Sequence, residues 1–522
     1  MFKKIFCFAL CFILSFNLCC CGKSTINNST QKETDKKENV LENISMLYCR
    51  ADTFNPYTAV SDINRQLCKL LYEPLITTDN TFNPIYRLAE TITFGDKTCT
   101  VTLKDVLFSD GATLTADDVV YSFSKAKTSS TSYASKLYEV ENAAVIDKKT
   151  VLFTLSKNDP YFENLLDFPI LKSESDVVTD SDGVIQPPIG CGRYILSDDK
   201  NSLCLNENFY GKLGKIKKIS LIDTPDADAV SHYVEVGAVS FYYADLANGS
   251  IVRMSGKKSE VYLNNLVYIG INDSVDRLNN KYMRYAISSA IGRLEICSNA
   301  YHNNASPATG FFNPYFQPVS AVQSLSDEAN LKIAIENLDK IGYNRLNSES
   351  YYVNSAGKRA SFNLLVNSEN RSRVLAAYKI KDQLRAAGIE ITVVEKDYDK
   401  YVADLSAGNF QLYLGEINIL PNMDLSQLVI AGGSAAYGRG TVQTEAQEET
   451  DEIKTDIIAD AIARFYDGSV TINDVAGVLL TEMPQIPICY RKGLLFYDEK
   501  ISGVKVSESD IYLTIESYTN KN

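Results

Sequence analysis

Residues 361–415 alternate strand-like and helix-like runs in strict order, and that order narrows the fold more than any other stretch of the chain. SFNLLV (Ser361–Val366), IEITVV (Ile389–Val394) and FQLYLG (Phe410–Gly415) are short runs rich in β-branched and large apolar residues. Between them, RVLAAYKIKDQLRAAG (Arg373–Gly388) and DYDKYVADLSAG carry helical spacing, with Gly388 placed to close the first helix. Strand, helix, strand, helix, strand implies crossover connections and an α/β lobe with a largely parallel sheet. Ligands of such sheets sit beyond the carboxyl ends of the strands, so the chain just after Gly415 is a candidate site.

Two other stretches carry local instructions. LFSDGATLTADDVVYSF (Leu107–Phe123) has a turn at Gly111, then Thr115 and Asp118 at capping-box spacing, then Val119, Val120 and Phe123 opening an apolar face. Its adjacent carboxylates, Asp117 and Asp118, read as helix initiation and not as a catalytic pair. Met283, Ala286, Ile287, Ala290, Ile291 and Leu294 recur at helical spacing and predict one amphipathic helix within Asn279–Tyr301. TCTVTL (Thr98–Leu103) alternates as a half-buried strand. The acidic run TEAQEETDEIKTD, ending at Asp456, reads as a solvated loop entering a helix.

The amino terminus sets the compartment. Lys3 and Lys4 precede a nearly all-apolar run, Ile5 to Leu18, too short to span a membrane and suited to a signal peptide. It ends in Leu18-Cys19-Cys20-Cys21-Gly22, which resembles a bacterial lipobox and makes Cys21 the expected lipid anchor. Residues 1–20 are then a lipoprotein signal peptide and 21–43 a flexible linker, poor in bulky apolar residues. Seven cysteines lie beyond Cys21 at wide spacings with no CxxC pair, which argues against a disulfide framework or a zinc site. The net charge of -13 lacks the basic footprint that nucleic acid requires. With two histidines, no GxSxG, no HExxH and no phosphate loop, enzyme chemistry and bound cofactors are not expected.

Six stretches in order resemble the extracytoplasmic solute-binding proteins of the dipeptide/oligopeptide/nickel family, which serve ABC importers. They are LLYEPLITTDNTFNPIYRLAE (Leu70–Glu90), the Leu107–Phe123 stretch, PPIGCGRYIL (Pro187–Leu196), MRYAISSAIGRLEI, AAYKIKDQLRAAGIEITV and MPQIPICY (Met483–Tyr490). The resemblance covers roughly Ile44 to Gly503. It implies an α/β, two-lobed periplasmic-binding-protein-like fold with an additional domain inserted in the N-terminal half. Lobe I would be discontinuous, 44–74 with 189–270 and 489–522. The extra domain would be 75–188 and lobe II 271–488.

The function implied is capture of a peptide between the lobes and delivery to an ABC permease with its ATPase, by a monomer held at the outer face of the cytoplasmic membrane. Other solutes (a nickel chelate, a sugar, an opine-like compound) and a peptide-sensing role without transport are the alternatives. FNPYTAVSDINRQL aligns with the family's ligand-facing loop and implies Asp62 and Asn64 as contacts, and SSTSYASKL implies Tyr133 and Lys136. Peptide-binding members carry a tryptophan and an amine-binding aspartate after the strand that ends here at Gly415. This chain has no tryptophan and reads YLGEINILPNMDLSQL, leaving Glu416, Asn418 or Asp424 for that role, Glu416 first. Arg193, where the family has proline, is a candidate partner for a ligand carboxylate.

Overall fold

The computed structural model describes residues 41–181, 183, 185–247, 249, 254–440 and 456–520. The signal peptide, Cys21, nearly all of the expected linker and all but Asp456 of the acidic run lie outside the described residues. No helix among the described residues is long and apolar enough to cross a membrane.

The 361–415 stretch forms the expected unit. Ser361–Asn367 pairs in parallel with both Glu390–Lys396 and Leu412–Asn418. The crossover helix Arg371–Ala386 starts at Asn370, whose side chain accepts the Arg373 N–H, and ends before Gly388 at φ 73°. It buries Ala376, Ala377, Ile380 and Leu384 on the sheet. The sheet as a whole is not largely parallel, however. Beyond Leu412–Asn418 it continues antiparallel through Lys257–Ile271, Ile486–Tyr497 and Phe241–Ala244. Those strands come from distant parts of the chain, so no local crossover pattern announces their direction.

The two longest strands connect two hydrophobic cores. Leu266 to Ile271 and Ile486 to Tyr490 pack in the larger core, which also holds the Ser361–Asn367 unit and its helices. Val261 and Leu263, with Leu495 and Tyr497, pack in the second core. The register between the strands shifts at Tyr262/Leu266, where they cross from one core to the other. The second core is built on a four-stranded sheet of Asn43–Tyr48, Lys218–Asp223, Ser202–Leu205 and Tyr194–Leu196. A separate antiparallel sheet of Ala89–Gly95, Thr98–Leu103, Thr150–Leu155 and Val140–Asp147 buries Cys99, Val101, Val151 and Phe153 in that same core.

The Leu107–Phe123 stretch is structural. Asp118 accepts the Thr115 N–H at 2.8 Å and heads the helix Ala116–Thr128. Its other oxygen takes the Ser173 N–H at 2.9 Å, tying that helix start to a distant loop. The single helix expected over Asn279–Tyr301 is two, Lys281–Ser289 and Arg293–Asn299. The break has a cause. Gly292 is clamped by the Gln383 side chain, which accepts its N–H at 3.2 Å and donates to its carbonyl at 3.1 Å. Arg293 then turns inward, fully buried, and donates to the Pro487 and Ser326 carbonyls. Leu294, expected on the apolar face, is exposed.

Candidate ligand cavity

A cavity of about 830 Å³ opens between the two cores, within the size range of small-ligand sites. One wall carries Leu67, Cys68 and Tyr512 of the second core; the other carries Phe82 and Ile419 of the larger one.

The helix Asp62–Leu71 places charge on this wall by its periodicity. Ser61 caps it, accepting the Asn64 N–H, and Ser61 is itself held by the Asp52 carboxylate through its N–H (2.8 Å) and hydroxyl (2.7 Å). Leu67, Cys68, Leu70 and Leu71 are buried, while Asp62, Arg65 and Lys69, three and four residues apart, line the cavity. Tyr133 and Lys136 arrive on the short helix Ser132–Lys136. Asp167, Asp245, Asn265, Asn418 and Glu508 add further polar groups to the lining.

Most of the charges are already matched. Arg65 pairs with Asp62 at the exposed rim. Lys136 pairs with Asp167, whose remaining oxygen is buried without a hydrogen-bond partner. Asp245 pairs with Arg491, which also holds Glu416 at 2.6 Å, while Arg373 approaches Glu416 at 3.7 Å. Two guanidiniums thus face two carboxylates. Glu508 is different. Its carboxylate accepts the Asn264 N–H at 3.0 Å and the Asn418 side-chain amide at 3.2 Å, both neutral donors. The Lys69 amine bonds the Glu508 backbone carbonyl at 3.1 Å. Among the described residues, no Lys, Arg or His nitrogen is paired with the Glu508 carboxylate. Burial pushes the Glu508 carboxyl up, against the lowering effects of the Asn264 N–H, the Lys136 charge, the Asn418 amide and the Lys69 charge. Burial likewise pushes the Lys69 ammonium down.

A polar relay crosses the sheet to this point. Arg491 donates to Glu416, the Asn265 amide donates to Glu416 at 3.0 Å, and the Asn418 amide donates to Asn265 at 2.8 Å and to Glu508. Asn265 and Asn418 are direct cross-strand partners, which fixes their approach.

Of the residues singled out in the sequence, Asp62, Tyr133, Lys136 and Asn418 come together on the cavity wall. Four do not. Asn64 is fully buried two residues along the helix from Asp62, where its amide accepts the Cys49 N–H at 2.9 Å and donates to the Cys49 and Thr53 carbonyls. Arg193 is buried and pairs with Glu73 and Asp510, pinning the C-terminal segment. Glu416 shares the strand face of Asn418 by alternation, but lies deeper in the sheet, where Arg491 and Arg373 neutralise it. Asp424 is held by Lys157 at 3.1 Å and by Ser426, which keep its carboxyl below the usual range despite burial. Lys69, Asp167, Asp245 and Glu508 were not singled out. The i, i+3, i+7 spacing of Asp62, Arg65 and Lys69 would have found Lys69; Glu508 meets Asn264 across 244 residues of chain, and no local pattern marks it.

The model of the bacterial extracellular solute-binding proteins, family 5 Middle, matches residues 83–438. The oligopeptide-binding protein AppA of Bacillus subtilis (strain 168) is 24% identical over 426 residues, 75% of this chain and 76% of that protein. The glutathione-binding protein GsiB of Salmonella typhi is 25% identical over 277 residues, 50% of this chain and 54% of that one. Among solved structures, the periplasmic murein tripeptide binding protein MppA in an unliganded open form superposes with a TM-score of 0.73 at 16% identity, covering 93% of this chain and 99% of that one. AppA from Bacillus subtilis with a nonapeptide gives 0.59 at 20% identity, covering 92% and 100%. These likenesses establish the two-lobed α/β periplasmic-binding-protein fold. With the family model covering most of its length, this chain belongs to the bacterial extracellular solute-binding proteins of family 5.

Proposed function

We propose that this protein captures peptides in the cavity between its cores and hands them, chemically unchanged, to the permease of an ABC importer. The observation that carries the reading is the composition of the cavity wall: residues of both hydrophobic cores face one space of about 830 Å³. A ligand there contacts both sides at once, and it favours a closed arrangement only through contacts that arrangement adds. Relatives named for oligopeptide and murein tripeptide binding support peptides as the solute class.

In this reading, lobe I is 44–74 with 189–270 and 489–522, the extra domain is 75–188, and lobe II is 271–488. The paired strands Lys257–Ile271 and Ile486–Tyr497, with their register shift at Tyr262/Leu266, serve as the hinge. The chain acts as a monomer anchored through a lipid on Cys21, and it makes and breaks no bond of its ligand.

Thermal unfolding in the presence of separate solute pools tests this. A pool of short peptides raises the midpoint, because ligand at 100 times Kd adds about 2.7 kcal/mol to the folded state. Stabilisation by sugars or by nickel with histidine, and none by peptides, would replace the peptide assignment.

A further inference from the structure

We infer that the stretches 157–164 and 419–424 form a latch between the two cores, which parts to admit or release a peptide and so sets how firmly the ligand is held. The inference rests on the peptide-capture reading and adds which contact governs retention.

The two stretches belong to different cores. Phe162 packs in the second core, and Ile419 and Met423 pack in the larger one. They meet through side chains. The Asn422 amide donates to Asp159 at 2.7 Å, and Lys157 donates to Asp424 at 3.1 Å while lying 4.0 Å over the Tyr466 ring. The Asn164 amide donates to the Phe82 carbonyl at 3.2 Å and to the Pro421 carbonyl at 3.1 Å. Tyr161 sets its ring against Phe316 and Phe465 of the larger core. Phe82 and Pro421 also line the cavity, so the contact borders the space that holds the ligand. Among the described residues no backbone–backbone hydrogen bond joins the two stretches, whereas Lys257–Ile271 and Ile486–Tyr497 are joined by a strand ladder. The contact can therefore part as a unit while the paired strands stay together.

Asp159 ties the latch to pH. Lys157, Asp424, Tyr466, Asp467, Asp96 and Cys99 surround it, one cation among carboxylates and neutral groups. Burial pushes the Asp159 carboxyl up to about 6 and the Asp424 charge adds to this, against the Asn422 and Tyr161 bonds and the Lys157 charge. Parting the stretches wets the carboxyl and returns it toward 3.8. The latched form then holds a proton that the open form gives up, so latching is favoured at low pH and weakens as pH rises through about 6. Between pH 5 and pH 7.5 the latching equilibrium changes about tenfold.

The test uses a random-sequence pentapeptide library. Native mass spectrometry reads its apparent Kd at pH 5 and pH 7.5 for the wild-type protein, Asn422→Ala and Asp159→Asn. Asn422→Ala is expected to weaken binding about tenfold at pH 7.5, the loss of one bond to a charged group. The ratio of Kd at pH 7.5 to Kd at pH 5 is expected to be about tenfold larger in wild type than in Asp159→Asn. Hydrogen exchange of the ligand-free proteins reads the latch without a peptide: in Asn422→Ala, the 157–164 and 419–424 amides speed up together. Asp159→Asn removes a buried charge, so its comparison stands even where Asn422→Ala folds poorly. An unchanged Kd in a folded Asn422→Ala, or the same pH ratio in wild type and Asp159→Asn, overturns the latch and leaves peptide capture standing. Binding of no pentapeptide by wild type overturns peptide capture, and the exchange measurement then decides the latch alone, with unchanged exchange overturning it.

Discussion

The Asn418 side-chain amide lies 3.2 Å from the Glu508 carboxylate and 2.8 Å from the Asn265 side-chain amide oxygen, so one neutral side chain joins the sheet to the C-terminal segment at the cavity wall. Replacing it by aspartate puts a second carboxylate against the first. Like charges at that range disfavour joint ionisation, so Asn418→Asp keeps a proton on the pair to higher pH. Burial already pushes the Glu508 carboxyl up, although the Lys136 and Lys69 charges oppose this. In wild type, the stability this group contributes is therefore present at low pH and falls as pH rises past the ordinary glutamate value of about 4.3. In Asn418→Asp the same loss extends to still higher pH. Denaturant unfolding between pH 4 and pH 8 checks both curves; coincident curves would contradict the coupling.

Glu416→Gln separates a supporting role from a binding one. The carboxylate is shared by Arg491 and Arg373, and removing its charge leaves buried guanidinium charge short of a partner. The expected outcome is a stability loss of roughly 1–3 kcal/mol, from breaking charge-assisted bonds, read by denaturant unfolding. Free-amine and acetylated peptides should weaken alike. A selective loss of free-amine binding in Glu416→Gln would give Glu416 a direct contact with the ligand amine.

The legible and illegible parts of this molecule divide by the range of the contacts involved. The 361–415 unit is readable because each strand and helix carries its own periodicity, and neighbours in sequence are neighbours in space. The antiparallel remainder of that sheet is not, because Lys257–Ile271 and Ile486–Tyr497 pair across more than 200 residues. The helix break at Gly292 is hidden for a related reason: apolar spacing runs on through it, and the clamp is Gln383, on another helix. At the site, the loop resemblance locates Asp62, but only the helical phase distinguishes it from Asn64, which the same helix turns inward. Glu508 sits in the turn-like SESD near the C-terminus and gains its meaning from Asn264 and Asn418 alone.

The Arg193 guanidinium is taken up by scaffold groups. It is buried between Glu73 and Asp510 and donates to the Tyr512 carbonyl at 2.7 Å. Arg193→Ala should cost about 3–5 kcal/mol, the usual consequence of leaving buried carboxylates unpaired. Chemical denaturation at pH 7 gives the value. A fully stable Arg193→Ala with weakened binding would return Arg193 to the ligand.

Asp159 gives a pH signature of the fold. It is buried, with the Asn422 amide at 2.7 Å, and burial pushes its carboxyl from about 3.8 up to about 6, although the Asn422 and Tyr161 bonds oppose this. Between those values the folded state holds a proton that the unfolded chain has lost. Stability from this group therefore falls as pH rises from about 4 to about 6, and stays lower above. A rise of that size corresponds to about 3 kcal/mol. Asp159→Asn should flatten this part of the profile in denaturant unfolding across pH 4–8; an unchanged slope would show that Asp159 ionises normally.

The central question is whether a peptide occupies the cavity intact. Native mass spectrometry of the soluble chain beginning at Gly22, purified from a peptide-rich medium, measures this directly. The predicted result is a one-to-one complex that releases peptides of unchanged mass on denaturation. A chain that carries no peptide and takes up none from the library, or one that releases cleaved fragments of a defined peptide, would contradict it.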